Sequence, residues 1–176
     1  MTNRKSNLNR LRQLIVFAML AAFMFISKLI LEFLPNVHLL GALTVTYTVV
    51  YRRKALIPIY LFVFLIGLYN GFNLWWVPYL YLWTVLWGMT MLLPKKMSPK
   101  IAPVVYILVC GFHGLAYGSL YAVFQAFAFN LNFEQTIAWI IAGFPWDITH
   151  CIGNILAGLL IYPLSIALSK FEEKFN

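Results

Sequence analysis

From Ala55 to Pro94 the chain carries no Asp, Glu, Lys or Arg, a run of 40 residues. As a single helix that run would be about 60 Å long, about twice the apolar thickness of a bilayer. It must fold back on itself within apolar surroundings. Turn signals for the reversal lie at Asn70-Gly71-Phe72-Asn73 and at Pro78. The segment therefore predicts two membrane-spanning helices, over about 55–70 and 78–94.

The rest of the chain reads the same way. Of its 176 residues 62% are hydrophobic and only 10% are charged, against about a quarter charged in a soluble domain. A soluble enzyme, a disordered tail and a DNA-binding domain are excluded. Further spans are predicted over about 11–34, 37–51, 101–127 and 145–169. The expected fold is an all-α bundle of six transmembrane helices, a single domain over residues 1–176. The first span has a basic start but no small-residue cleavage pattern, so it is read as a retained helix rather than a signal peptide. Pro35-Asn36 ends it. Glu134 to Ala142 is expected as a short helix stopped by Gly143, with Pro145 opening the sixth span, where its missing N–H costs nothing. Cys110 and Cys151 lack CxxC spacing and read as small packed residues.

The formal charge of +8 is distributed unevenly. With six spans both termini share one side with the 52–54 and 95–100 loops. That side holds Arg4, Lys5, Arg10, Arg12, Arg52, Arg53, Lys54, Lys95, Lys96, Lys100, Lys170 and Lys174, 12 of the 13 basic residues. Under the positive-inside rule both termini are cytoplasmic. The exception, Lys28, stands four residues before Glu32 and is placed to pair with it.

A polar side chain within lipid is costly and tends to face the protein interior or a water-filled cavity. Tyr79, Trp83 and Trp87 share one face of the fourth span, at helical spacing. Trp75 and Trp76 precede them in the outer loop, where an interfacial aromatic belt is the competing explanation. His113, Tyr117, Tyr121 and Gln125 line one face of the fifth span. Gly111, Gly114 and Gly118 lie beside them and suit close helix packing. Asp147, His150 and Asn154 share a face of the sixth. Asp147 also suits a first-turn carboxylate stabilised by the helix dipole. Glu32, Asn36, His38, Asn73 and Trp76 join these faces from the outer ends and loops. Together they predict a pocket open to the outside.

Binding fits these residues better than catalysis. There is no HExxH, GxSxG or Walker-type loop, and His113, His150 and Asp147 lack the spacing of a metal site. Aromatic walls with a few placed polar groups are usual for a small-molecule site. A planar heteroaromatic ligand is expected, with no cofactor, no metal and no nucleic acid. Two alternatives stay open: a small integral membrane enzyme using Asp147 and His150, and a ligand-free assembly subunit of a membrane complex.

Over roughly residues 10–170 the chain resembles the S component, the substrate-binding membrane subunit, of energy-coupling factor (ECF) vitamin transporters. The residues that carry the likeness are Ala18-Met19-Leu20-Ala21-Ala22 with its A-x-x-x-A pattern, Leu34-Pro35-Asn36-Val37-His38-Leu39-Leu40-Gly41, and Phe144-Pro145-Trp146-Asp147-Ile148-Thr149-His150 followed by Asn154. The resemblance implies uptake of a vitamin or related micronutrient across a prokaryotic cell membrane. It implies partners: a transmembrane coupling subunit docked on Ala18 and Ala22, and two cytoplasmic ATPase subunits that supply all ATP hydrolysis. It also implies that the S component topples to carry its site inward.

Overall fold

The computed structural model describes residues 2–34 and 36–174, with side chains from residue 8 onward. Among the described residues the fold is all-helical. Its elements are α1 (Thr2–Ile30), α2 (Leu40–Tyr51), α3 (Leu56–Asn70), α4 (Tyr79–Met91), α5 (Ala102–Ala128), α6 (Phe133–Gly158) and α7 (Ile161–Glu173). Short 3-10 turns fill Arg52–Ala55 and Leu74–Trp76.

Two helical segments, Leu8–Ile30 and Ala102–Ala128, are long and apolar enough to cross a membrane. α6 and α7, bent by 46° at their junction, qualify together as a third. The outer surface suits that setting: Leu14, Met19, Leu108, Phe112 and Leu156 are all more than half exposed.

α2 is the centre of the bundle. Leu40 to Thr48 are buried without a break, and α1, α4, α5, α6 and α7 all pack on it. In this enclosed helix two of the three threonine hydroxyls are satisfied locally, while Thr44 Oγ1 has no partner among the described residues. Thr46 donates to the Ala42 carbonyl at 2.8 Å and Thr48 to the Thr44 carbonyl at 2.6 Å. The main core gathers Ala21 and Met24 of α1, Leu40, Leu43 and Tyr47 of α2, Ile59, Phe62 and Ile66 of α3, and Trp83 of α4.

The predicted reversal lies where the turn residues placed it. α3 ends at Asn70, and Gly71 adopts φ 87°, a conformation that favours glycine. The bend between α2 and α3 falls on Arg52 at φ 54°. Trp87 Nε1 donates to its carbonyl at 3.1 Å, and its guanidinium donates to the Met91 carbonyl at 2.9 Å. Those bonds hold a backbone geometry that a non-glycine residue rarely adopts.

The entry to the last helices differs from the expectation. α6 runs unbroken through Gly143, with Pro145 inside it. Asn132 caps the helix, with Gln135 completing a reciprocal capping box. Pro145 forfeits one backbone bond, and Thr149 donates back to the Pro145 carbonyl at 3.3 Å. The expected short helix over 134–142 and a separate span over 145–169 are thus replaced by one 26-residue helix and a break after Gly158. Prolines do stand in the first turns of other helices, Pro103 in α5 and Pro163 in α7. Asp147 is mid-helix and caps nothing. α1 gives way to turns from Leu31 onward; Pro35, expected to end it, lies outside the described residues.

One end of the bundle ties the chain's distant parts together. Arg12 Nη2 meets Glu172 Oε2 at 3.5 Å, Tyr51 donates to Glu172 Oε1 at 2.9 Å, and Lys54 donates to Gln13 at 3.0 Å. Lys28 and Glu32 do not pair: among the described residues the ion pair present is Arg12–Glu172. Glu32 is exposed past the end of α1.

Candidate functional site

α5 and α6 pack along their lengths because glycines remove the side chains between them. A Cβ at Gly114 would lie 2.8 Å from the His150 carbonyl oxygen. A Cβ at Gly118 would lie 2.5 Å from Asp147 Oδ2. Contacts under 3.0 Å leave no room for even a methyl group, so Gly118 is what admits the Asp147 carboxylate to the face of α5. There the Gly118 N–H donates to Asp147 Oδ1 at 2.7 Å.

Above this close packing the helices part around a cavity of about 480 Å³, within the range of small-molecule sites. Tyr117, Gly118 and Tyr121 of α5 line it from one side. Trp139, Gly143, Trp146, Asp147 and His150 of α6 line it from the other, and Asn36 closes one edge. Asn36 holds a left-handed backbone, φ 61°, which asparagine tolerates. Tyr121 and Trp139 stack nearly parallel, 10° between planes and 6.0 Å between centroids. The Tyr121 hydroxyl donates to the Trp75 carbonyl at 3.3 Å, tying this wall to the turn before α4.

Two polar groups of the lining lack protein partners. Asp147 and His150 are 3% and 7% exposed, yet Asp147 Oδ2 and His150 Nδ1 have no hydrogen-bond partner among the described residues. A buried acceptor left unpaired costs about 1–3 kcal/mol, more if charged.

Beneath the cavity lies a continuous set of rings. His150 sits 4.5 Å from Tyr117 and 5.3 Å from His38, centroid to centroid. Tyr117 is 6.1 Å from His113 and 6.3 Å from Trp83, and Trp83 is 5.7 Å from Tyr79. His113 Nε2 lies 3.0 Å from the Leu82 carbonyl and, facing an acceptor, carries the proton. Its Nδ1 is then an acceptor, and it is unpartnered.

Five of the predicted site residues line the cavity: Asn36, Tyr117, Tyr121, Asp147 and His150. His38, Tyr79, Trp83 and His113 form the layer of rings beside it. The others are placed elsewhere. Asn154 donates to the Cys110 carbonyl at 3.0 Å and locks α6 to α5. Trp76 Nε1 donates to the Val63 carbonyl at 2.7 Å and pins its turn to α3. Trp87 serves the Arg52 bend. Glu32 and Asn73 are exposed and Gln125 is half-buried, none lining the cavity. Ala18 is exposed on α1 and Ala22 half-buried, on a side shared with exposed Ile15, Met19, Phe23 and Ile26.

Trp139, Gly143 and Trp146 were missed. A continuous helix from Phe133 would have exposed them, because positions 139, 143, 146, 147 and 150 share one face at helical spacing. Reading Pro145 as a helix start hid that pattern. Among the described residues no three of His, Cys, Asp and Glu converge as a metal site. Comparison of the chain with protein-family models, curated proteins and solved structures found no match.

Proposed function

We propose that the chain is the substrate-binding membrane subunit of an ECF-type transporter and binds a vitamin-like, planar heteroaromatic compound. In this reading α6 and α7 form one bent crossing, giving six spans with both termini cytoplasmic. The observation that carries the proposal is the α5–α6 cavity. It is walled by Tyr117, Tyr121, Trp139 and Trp146, contains the unpartnered Asp147 Oδ2 and His150 Nδ1, and lies away from the end that gathers Arg12, Lys54 and Glu172. Aromatic walls with few convergent polar groups are the make-up of a small-molecule site. The small-residue side of α1 at Ala18 and Ala22 supports docking of a coupling subunit, since small residues let helices approach closely.

Purification from the native membrane tests the assembly. It should bring down two ATPase subunits and a larger membrane partner, and the reconstituted complex should take up ligand only with ATP. A chain that purifies alone, with no ATP-dependent uptake after reconstitution of its membrane extract, overturns the proposal. Replacing Ala22 by Trp separates the two roles: transport should fall at least tenfold while ligand binding to the isolated chain stays unchanged.

A further inference from the structure

We infer that the α5–α6 cavity selects a planar cation bearing adjacent N–H donors, an amidinium or protonated amino-heterocycle, and that Asp147 anchors it. The inference rests on the binding-subunit reading and specifies its ligand.

The deciding residue is Asp147. Its carboxylate lies against Gly118, where any side chain would collide with it, and only Oδ1 receives a protein donor. The second oxygen is buried and unpaired, in a residue that lines the cavity. His150, one turn further along the same face, adds a second unpartnered atom, the nitrogen Nδ1. Among the described residues no Lys or Arg lines the cavity. Lys28 lies within electrostatic range of His150 and His38 but is not part of the lining.

A wall with a free carboxylate oxygen and no lining cation asks for a ligand that donates. An anionic ligand would bring a second negative charge beside Asp147, which is itself buried, and charge repulsion at a buried group is screened less than in bulk water. Charge-assisted hydrogen bonds to carboxylates are about twice as strong as neutral ones, and planar two-donor groups match carboxylate geometry. The aromatic walls add a second preference for the same class. A flat cation over the face of Tyr or Trp is attracted by the ring quadrupole. Tyr117, Tyr121, Trp139 and Trp146 surround the position such a ligand would occupy.

The test uses three bicyclic probes of one shape: 2-naphthamidine (cation), 2-naphthamide (neutral) and 2-naphthoate (anion). Each is titrated calorimetrically into the full chain in detergent micelles. The amidine should bind at least tenfold tighter than either isostere. Asp147→Asn, which keeps the side chain's size, should abolish that margin. Tyr121→Leu should weaken all three probes and narrow the margin without abolishing it. The wild-type ranking is decisive by itself should Asp147→Asn fail to fold. Naphthoate binding as tightly as the amidine, or no saturable amidine binding, overturns the inference. So does a margin that survives in Asp147→Asn, or naphthoate binding that is lost in Lys28→Met. Saturable binding of a carboxylate vitamin without amidine binding removes the ligand class and leaves the transport reading standing. Amidine binding by a chain that purifies without ATPases supports the site and removes the transport reading.

Discussion

Gly118 decides more about the site than its lack of a side chain suggests. Adding a methyl group there places a carbon 2.5 Å from Asp147 Oδ2. Gly118→Ala should therefore displace the carboxylate and break its 2.7 Å bond from the Gly118 N–H. Overpacking of a tight core costs about 1–3 kcal/mol, so thermal unfolding in detergent should move to lower temperature and ligand binding should be lost. Trp139→Ala tests the opposite wall. It removes the stack on Tyr121, worth about 0.5–1.5 kcal/mol beyond burial, and should weaken ligand binding with little change in helix content by circular dichroism. At this scale the sequence was partly legible. Helical spacing found Tyr117, Tyr121, Asp147 and His150, because residues on one face meet the same neighbour. It could not separate a ligand-facing amide from a structural one. Asn154 lies on the same face as Asp147, yet its amide is spent on the Cys110 carbonyl. Only the position of the α5 backbone reveals that difference. Lys28 and Glu32 teach a related point: a favourable spacing pairs two charges only if the helix continues past both, and α1 ends at Ile30.

Helix α6 is the element on which the sequence reading went astray. Glycine and proline within three residues usually mark an end, and here Gly143 and Pro145 do not. The capping box at Asn132 starts the helix firmly, and packing against α5 carries it through the proline. The 46° bend comes later, between α6 and α7. Asn132→Ala removes the cap and should cost about 1 kcal/mol, read as a lower unfolding temperature. Pro145→Ala restores the missing N–H. Interior proline costs a helix about 3 kcal/mol, so this variant should unfold at a higher temperature. Ligand affinity measured on the same protein then reports whether the proline serves the shape of the cavity, with at least a threefold loss expected. The reversal after α3 was legible in full, because Asn70-Gly71 provides a geometry few other pairs offer.

At the scale of the whole molecule, the distribution of basic residues and the hydrogen bonds agree. Arg12, Tyr51, Lys54, Gln13 and Glu172 come from three parts of the sequence and meet at one end. The cavity residues Tyr121 and Asn36 belong with the turns at Trp75 and Val37. In the six-span reading, these ends face the cytoplasm and the exterior. Cysteine labelling in intact cells tests it, with Cys110 and Cys151 first replaced by alanine. A cysteine at Asn73 or Asn132 should react with a membrane-impermeant maleimide, and one at Lys54 or Lys96 should react only after permeabilisation. Labelling of all four from outside would refute the topology. The bundle's interior arrangement was not legible: nothing in the composition of α2 and α3 distinguishes which is enclosed.

That enclosure bears on how the protein is made. α2 has 12 residues, about 18 Å of helix, and almost none of its surface is left to meet lipid. A segment this short lacks the length to settle across a bilayer alone. During synthesis it must wait for later neighbours, since α4, α5, α6 and α7 all emerge after it. Nascent chains cut after Lys54 should leave α2 outside the lipid phase, while chains that include α3 and α4 should bring it in. In the six-span reading, membrane integration is therefore a cooperative event rather than a sequence of independent insertions, with the most central helix among the last to find its place.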